Sequence, residues 1–389
     1  MLNLKSDFFD KVNFTSDFKK LDNLIPSGMK IMVIGGAGTI GSNYTKQFLK
    51  FKPNKIVVVD INENGLTELT RDLRSSNLLD YNPEYITYPV NLLSDTFNKI
   101  FFSDNFDVIA NFSAHKHVRS EKDKISVEAL IKNNVFGAIK LLQLCSKVPP
   151  KYFFSVSTDK AANPVNVMGA SKSLMEKLIL SKKNNFRVST ARFANVAFSN
   201  GSLLDGFIYR LNKQQPLSCP DDIKRFFVTP EQSGQICLLA TFLGDSGNIF
   251  FPKLDFHNDQ IYFKDIALDF LKENGFEPEL VISEKEAKEF DFDKNLGKYP
   301  IYFFKTDTSG EKIYEEFYTE EEDYNIKKYD SLGFINTKDV KLSFEDVEAD
   351  FDFVFSDLNS VKLDIVKVIN KYVPDFKHLE TGKHLDQKM

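Results

Sequence analysis

Apolar residues in this chain gather into two kinds of run. KIMVIGG (30–36) and KIVVVD (55–60) are short, nearly continuous and rich in β-branched residues, as expected of strands buried on both faces. Between them, SNYTKQFLKF (42–51) mixes polar and apolar positions in the manner of a helix. EYITYPV, DVIANFSA, KYFFSVS and FRVSTARF repeat the strand pattern at intervals that leave room for crossover helices. This alternation predicts an α/β fold, a Rossmann-type doubly wound parallel sheet covered on both faces. After Ser199 the rhythm breaks, loops lengthen and Pro and Gly recur, so a smaller mixed α+β lobe is expected. The expected division is an arm over 1–28, a dinucleotide-binding domain over 29–198, a substrate lobe over 199–330 with room for returns to the main sheet, and a C-terminal extension over 331–389. Scattered Phe and Leu in the arm suggest a helix lying on the next domain. The extension carries the acidic, aromatic run SFEDVEADFDFVFSD and a predicted helix, VKLDIVKVINKYV, before an end expected to fray at 380–389.

Composition narrows the function. The chain has 389 residues, 42% of them hydrophobic, enough for one large domain or two ordinary ones. Its 50 Lys+Arg against 55 Asp+Glu give a net charge of −5, which excludes a general nucleic-acid binder because no basic excess neutralises phosphates. Cys145, Cys219 and Cys237 lie far apart, with no C-x-x-C pair and no nearby His, so neither a disulfide framework nor a metal site is expected. No apolar run approaches the roughly 18 residues that cross a bilayer, and the N-terminus lacks the apolar segment of a secretory signal. A soluble, cytoplasmic chain is the expectation. The 38 Phe residues read as ordinary packing.

Candidate chemistry starts at the end of the first strand. Gly35-Gly36-Ala37-Gly38-Thr39-Ile40-Gly41 places glycines at 35, 38 and 41 between a strand and a helix. A tight turn, close approach of a pyrophosphate to backbone N–H groups and tight helix packing all favour glycine there. The helix N-terminus then faces the phosphates. Asp60 ends the next strand, where a carboxylate accepts from both adenosine ribose hydroxyls and repels a 2′-phosphate, so NAD is expected over NADP. The plainer reading of Asp60 is a strand-end turn residue. Ser113 and Ala114, at the end of DVIANFSA, are assigned to the same cofactor site.

KYFFSVS delivers Ser157-Thr158-Asp159-Lys160, and AANPVN leads on to Met168-Gly169-Ala170-Ser171-Lys172. Positions 168 and 172 share one face of a helix. This stretch resembles the active-site region of extended short-chain dehydrogenases/reductases. The string STDKAANPVNVMGASK is similar to one branch of them, the bacterial CapD-like nucleotide-sugar 4,6-dehydratases of polysaccharide biosynthesis. Lys116-His117-Val118, Asn133-Asn134, Arg192-Phe193-Ala194-Asn195-Val196, Arg225-Phe226-Phe227-Val228-Thr229, Gly310-Glu311-Lys312 and Glu315-Glu316 extend the likeness from about residue 18 to about 320. The resemblance implies a UDP-N-acetylhexosamine substrate, with UDP-GlcNAc the first choice, and NAD as cofactor. The product would be a UDP-4-keto-6-deoxy sugar for surface glycans. It also implies a homo-oligomer built on helices beside the active site.

By that likeness Lys172 holds the nicotinamide ribose, Thr158 bonds the C4 oxygen, a neutral Lys160 removes the C5 hydrogen, and a protonated Asp159 donates to the departing C6 hydroxyl. Met168 stands where most relatives carry a Tyr, as in the subgroup that retains configuration at C5. The base for the C4 hydroxyl stays open between Asp159, a water steered by Lys172, and His115. Lys116, Asn195, Ser202 and Arg225 fall at positions assigned to substrate, Asn195 and Arg225 to its diphosphate. Thr308-Ser309 and Asn91 replace residues usual in relatives, Arg-Pro and Asp. The plainer readings are a turn cap for Asp159, a solvated loop residue for Lys160 and Lys116, and a salt bridge for Arg225. Two other functions stay open: a nucleotide-sugar epimerase, and a degenerate protein that binds NAD and sugar nucleotide without turnover.

Overall fold

A computed structural model describes residues 9–307 and 309–381. Its centre is a nine-stranded sheet. In chain order the strands are β1 (Lys30–Ile34), β2 (Lys55–Asp60), β3 (Glu84–Pro89), β4 (Val108–Asn111), β5 (Tyr152–Val156), β6 (Val188–Ala191), β7 (Ile249–Pro252), β8 (Asp323–Asn325) and β9 (Leu332–Asn336). Their spatial order is β8-β9-β7-β6-β5-β4-β1-β2-β3. All pairings from β7 through β3 are parallel, and β9 and β8 join antiparallel. The order reverses direction between β1 and β4, the place where such sheets open a crevice for ligands.

The inner strands are buried and largely apolar because both faces are covered, while the edge strands β3 and β8 are more exposed. Ile31, Val33, Ile56, Val58, Val108, Ala110 and Phe154 point into one core, with the arm and helices Thr39–Leu49 and Pro230–Phe242. Met32, Ile34, Val57, Val59, Ile109 and Phe153 point into the other, beneath helices Gly137–Lys147 and Val167–Leu180. Neighbouring residues of one strand thus serve opposite cores. The arm contributes helix Thr15–Lys20, held by Phe14, Leu21 and Ile25 in the first core.

The main sheet draws strands from beyond residue 198, the returns for which the expected division left room. β7 and β8 come from the stretch assigned to the lobe, and β9 from the stretch assigned to the extension. The lobe keeps its own small core, in which Leu217, Phe270, Tyr299 and Ile301 pack around a three-stranded parallel sheet. Beyond β9, helices Phe344–Ser356 and Lys362–Tyr372 lie on the second core, the one that also holds Val167–Leu180.

Candidate active site

The cofactor loop follows from backbone demands. Gly35 adopts φ +72°, and a Cβ there would stand 2.5 Å from the Ser113 nitrogen, so only glycine fits between β1 and the end of β4. Gly38 caps helix Thr39–Leu49 with no side-chain acceptor, which leaves the first N–H groups of the helix for an anion. A Cβ on Gly38 would meet only the Gly35 carbonyl, at 3.5 Å, so the protein's own packing does not call for glycine at this position. Asp60 accepts from Ala37 N at 2.9 Å through one oxygen and from Asn62 N at 2.9 Å through the other, and each keeps a lone pair for a ribose hydroxyl. Ser113 N donates to Asn111 Oδ1 at 3.1 Å, Ala114 follows it half-buried, and Ile40 is half-buried at the helix start. These residues fit a dinucleotide.

The Thr158-Asp159-Lys160 turn leaves β5 toward the same crevice. Asp159 Oδ1 accepts from Thr158 Oγ1 (2.9 Å), Lys160 N (2.9 Å) and Lys160 Nζ (3.1 Å). Asp159 and Thr158 therefore do cap the turn. Lys160 is no solvated loop residue, since its side chain is only 16% exposed. Glu315 Oε1 stands 3.5 Å from Lys160 Nζ on the other side, with Arg225 3.7 Å from the same oxygen. Asp159 Oδ2 and Glu315 Oε2 are buried without a hydrogen-bond partner. Burial by itself would depress the Lys160 ammonium, but Asp159 and then Glu315 outweigh it and hold the group above the ordinary lysine value. These two acidic neighbours favour the charged form of Lys160. Burial chiefly, with repulsion from Asp159, pushes the Glu315 carboxyl up against the pull of Lys160 and Arg225.

Helix Val167–Leu180 begins against this turn. A Cβ on Gly169 would lie 2.4 Å from the Lys160 carbonyl oxygen, so glycine lets the helix dock there. Asn166 caps it by accepting from Gly169 N at 2.7 Å, and buried Glu121 accepts from Val167 N at 2.6 Å. Burial pushes Glu121 up to about 7. Met168 is buried, and its thioether has no basic site for a hydroxyl proton. Lys172 donates to the Val156 carbonyl at 2.8 Å, and burial pushes it down to about 8 although Glu176 pulls the other way. Glu176 is committed elsewhere, to Ser157 at 2.5 Å and to Arg192, which also holds Glu322.

On the substrate side, Lys116 Nζ donates to the Asn200 carbonyl at 2.7 Å, and Asn200 N donates to Thr39 Oγ1 at 3.0 Å. Ser202 caps the next helix by accepting from Asp205 N at 3.1 Å. Asn200 therefore ties Lys116 to the start of the helix after the cofactor loop, and Ser202 follows two residues on. Asn195 is half-buried in a short ladder, its N–H donating to the Phe226 carbonyl at 3.0 Å. Arg225 corrects an expectation. Its guanidinium is nearly inaccessible and donates to the Lys224, Ile313 and Lys312 carbonyls and to Glu311. It fastens the 311–315 loop and presents no open fork to a diphosphate. Asn91 caps its own turn by accepting from Leu93 N at 2.8 Å, and Thr308 lies outside the described residues.

Glu311, Glu315 and Glu121 are the site residues that sequence reasoning left without a role. The first two sit in a quoted motif, but nothing in its spacing says that it folds back onto residue 160. Asn134 also gains a role: it binds His115 through N–H (2.8 Å) and carbonyl (3.0 Å), from a π-turn in its helix. Among the described residues no group of His, Cys, Asp and Glu could hold a metal ion, and no helix is long and apolar enough to cross a membrane.

Residues 31–337 match the family model described as polysaccharide biosynthesis protein. An uncharacterized membrane protein of Methanocaldococcus jannaschii is 30% identical over 82% of this chain and 91% of its own length. The inverting UDP-N-acetylglucosamine 4,6-dehydratase of Campylobacter jejuni (serotype O:23/36) is 30% identical over 59% of this chain and 68% of its own. The capsular polysaccharide biosynthesis protein CapD of Staphylococcus aureus is 26% identical over 76% of this chain, which spans only about half of it (49%). Among solved structures, a double mutant of DesIV, a dTDP-glucose 4,6-dehydratase of Streptomyces venezuelae with NAD and DAU bound, superposes with a TM-score of 0.56. It is 17% identical and covers 74% of this chain and 88% of its own. The chain belongs to the polysaccharide biosynthesis protein family, among CapD-like nucleotide-sugar enzymes of the short-chain dehydrogenase/reductase type.

Proposed function

We propose that this protein is an NAD-dependent UDP-N-acetylhexosamine 4,6-dehydratase, with UDP-GlcNAc the first substrate to test. The carrying observation is the buried Asp159–Lys160 pair, at the sheet edge that also carries the cofactor loop, with an unpartnered carboxylate oxygen on Asp159 and another on Glu315. A plain 4-epimerase has no need of an acid to expel a C6 hydroxyl.

Ala37, Gly38, Thr39, Asp60 and Lys172 would hold NAD, which supplies the hydride exchange, an electron pair accepted from C4 and returned at C6. Thr158 holds the C4 oxygen. The working forms of the acid and base lie one proton away from the resting state. Moving a proton across the 3.1 Å Lys160–Asp159 contact gives a neutral amine and a carboxylic acid, a change that exclusion of water by substrate favours because it removes two buried charges. Lys160 then takes the C5 proton made acidic by the C4 ketone. The O4 proton released as the ketone forms passes to a water steered by Lys172; Asp159 then protonates the C6 hydroxyl as it leaves as water, and the proton held on that water restores Asp159. Lys160 returns its proton to C5, so the atoms balance to loss of one water.

The test is incubation of purified protein with UDP-GlcNAc, with the product read by mass and NMR. Loss of one water with a C4 ketone is the expected result. An isomer of unchanged mass would replace this reading with an epimerase, and unchanged substrate with tight NAD would make the protein a binder.

A further inference from the structure

The family match ends at residue 337, yet the chain continues through two helices and then runs back to the active site. Val373 and Phe376 are buried at the end of the last helix and anchor the returning segment. From there Lys377 N donates to the Pro164 carbonyl at 3.1 Å, and Leu379 N to the Val165 carbonyl at 2.9 Å. The Leu379 carbonyl in turn accepts from Gly310 N at 3.0 Å. Glu380 accepts from Ser309 Oγ at 2.6 Å and pairs with Lys362 at 2.7 Å. Thr381 N donates to Ser309 Oγ at 3.0 Å, and its hydroxyl donates to the Asp307 carbonyl at 3.0 Å.

These partners belong to two loops. Residues 161–166 join Lys160 to the cap of the helix that carries Met168 and Lys172. Ser309 and Gly310 lead into Glu311 and Glu315, which flank Arg225 and Lys160. The loops already touch, since Asn166 Nδ2 donates to the Gly310 carbonyl at 2.8 Å. The tail is bonded to both of them, so the Asp159–Lys160 side and the Glu315 side cannot separate without breaking it.

We propose that residues 377–381 are a positioning strap for the reaction, holding the Glu315 loop against the Asp159–Lys160 turn, with Glu380 as its side-chain latch. The strap touches no reacting atom. It acts through the distance between Lys160 and its second carboxylate, and its effect on turnover rests on the dehydratase reading, while its effect on Lys160 does not.

The test compares the full chain with a chain ending at Phe376, which keeps the buried anchor, and with Glu380→Ala and Glu380→Gln. Truncation is expected to speed amide exchange across 309–316 by at least about 10-fold, because Gly310 loses its acceptor. It is also expected to raise the rate at which an acylating reagent labels Lys160 by at least about 5-fold, as the carboxylates that hold the ammonium loosen. With UDP-GlcNAc, kcat should fall about 10- to 100-fold while NAD affinity and the KM for substrate stay within about 2-fold, as expected for misplacement of a catalytic group. Glu380→Gln, whose amide oxygen still accepts from Ser309, should recover most of what Glu380→Ala loses. Unchanged exchange and unchanged Lys160 labelling would overturn the strap. Faster exchange with normal labelling and normal kcat would reduce it to a structural brace and overturn the positioning role. If the full chain forms no ketone but truncation still frees Lys160, the strap stands and the dehydratase reading falls.

Discussion

Lys160 and Lys172 lie twelve residues apart and are both enclosed by protein, yet their surroundings drive them in opposite directions. Around Lys160, carboxylates from two distant parts of the chain converge and stabilise the charged form. Around Lys172 the helix is packed among apolar residues, and the one nearby acid, Glu176, already serves Arg192 and Ser157. Burial alone thus depresses a lysine, and burial beside unspent carboxylates raises it. In the proposed reaction that contrast would assign proton transfer to the Lys160 side and hydrogen-bond donation to Lys172.

Breaking the commitment of Glu176 has the largest expected effect. Arg192→Leu leaves Glu176 buried without its cation and removes the tie to Glu322, and should destabilise the fold by about 3–5 kcal/mol, read by urea unfolding. Substituting within the Lys160 region tests its chemistry. Asp159→Asn and Lys160→Ala should each lower turnover of UDP-GlcNAc at least about 10²-fold, and near-normal rates in both would remove their roles.

Lys172→Met sharpens the other half of the comparison. Removing a buried, depressed ammonium should stabilise the fold by roughly 1–2 kcal/mol at pH 7, less than the full shift because the Val156 contact is lost as well. The sign of its pH dependence is definite. A lysine held near 8 in the fold and at its ordinary 10.5 when unfolded penalises the native state fully below pH 8 and not at all above 10.5. The advantage of the variant should therefore shrink between those values, and a constant difference would contradict the assigned cause. Glu315→Gln tests the Lys160 side alone, and its effect on labelling should be at least as large as that of removing the tail. By removing one anion it should shift Lys160 labelling to lower pH and leave Lys172 unmoved.

The cofactor half was legible because its requirements are local. Gly35, Gly38 and Asp60 sit where a strand, a turn and a helix must meet, and the structure needs glycine at 35 for a backbone reason that spacing already implied. The catalytic half was legible only as far as the contiguous Thr158-Asp159-Lys160 segment. Arg225 looked like a phosphate ligand because a guanidinium fork suits one, but its actual partners are backbone carbonyls of residues 312 and 313 and the Glu311 carboxylate, invisible before folding. Lys160 looked like a ready base because chemistry asks for one, yet Asp159, and then Glu315 on its far side, hold its ammonium above the ordinary lysine value.

By itself the sequence determined the parallel sheet, the glycine turn after β1 and the contiguity of Thr158, Asp159 and Lys160, since periodicity and glycine spacing act over a few residues of continuous backbone. Only the tertiary structure decided which charges face one another: that Glu315 completes the Lys160 cluster, that Glu176 is withheld from Lys172, and that a tail beyond the family boundary fastens both loops. Those outcomes depend on side chains brought together from far along the chain, where Coulomb energy and desolvation are set by distance in space and leave no period to read.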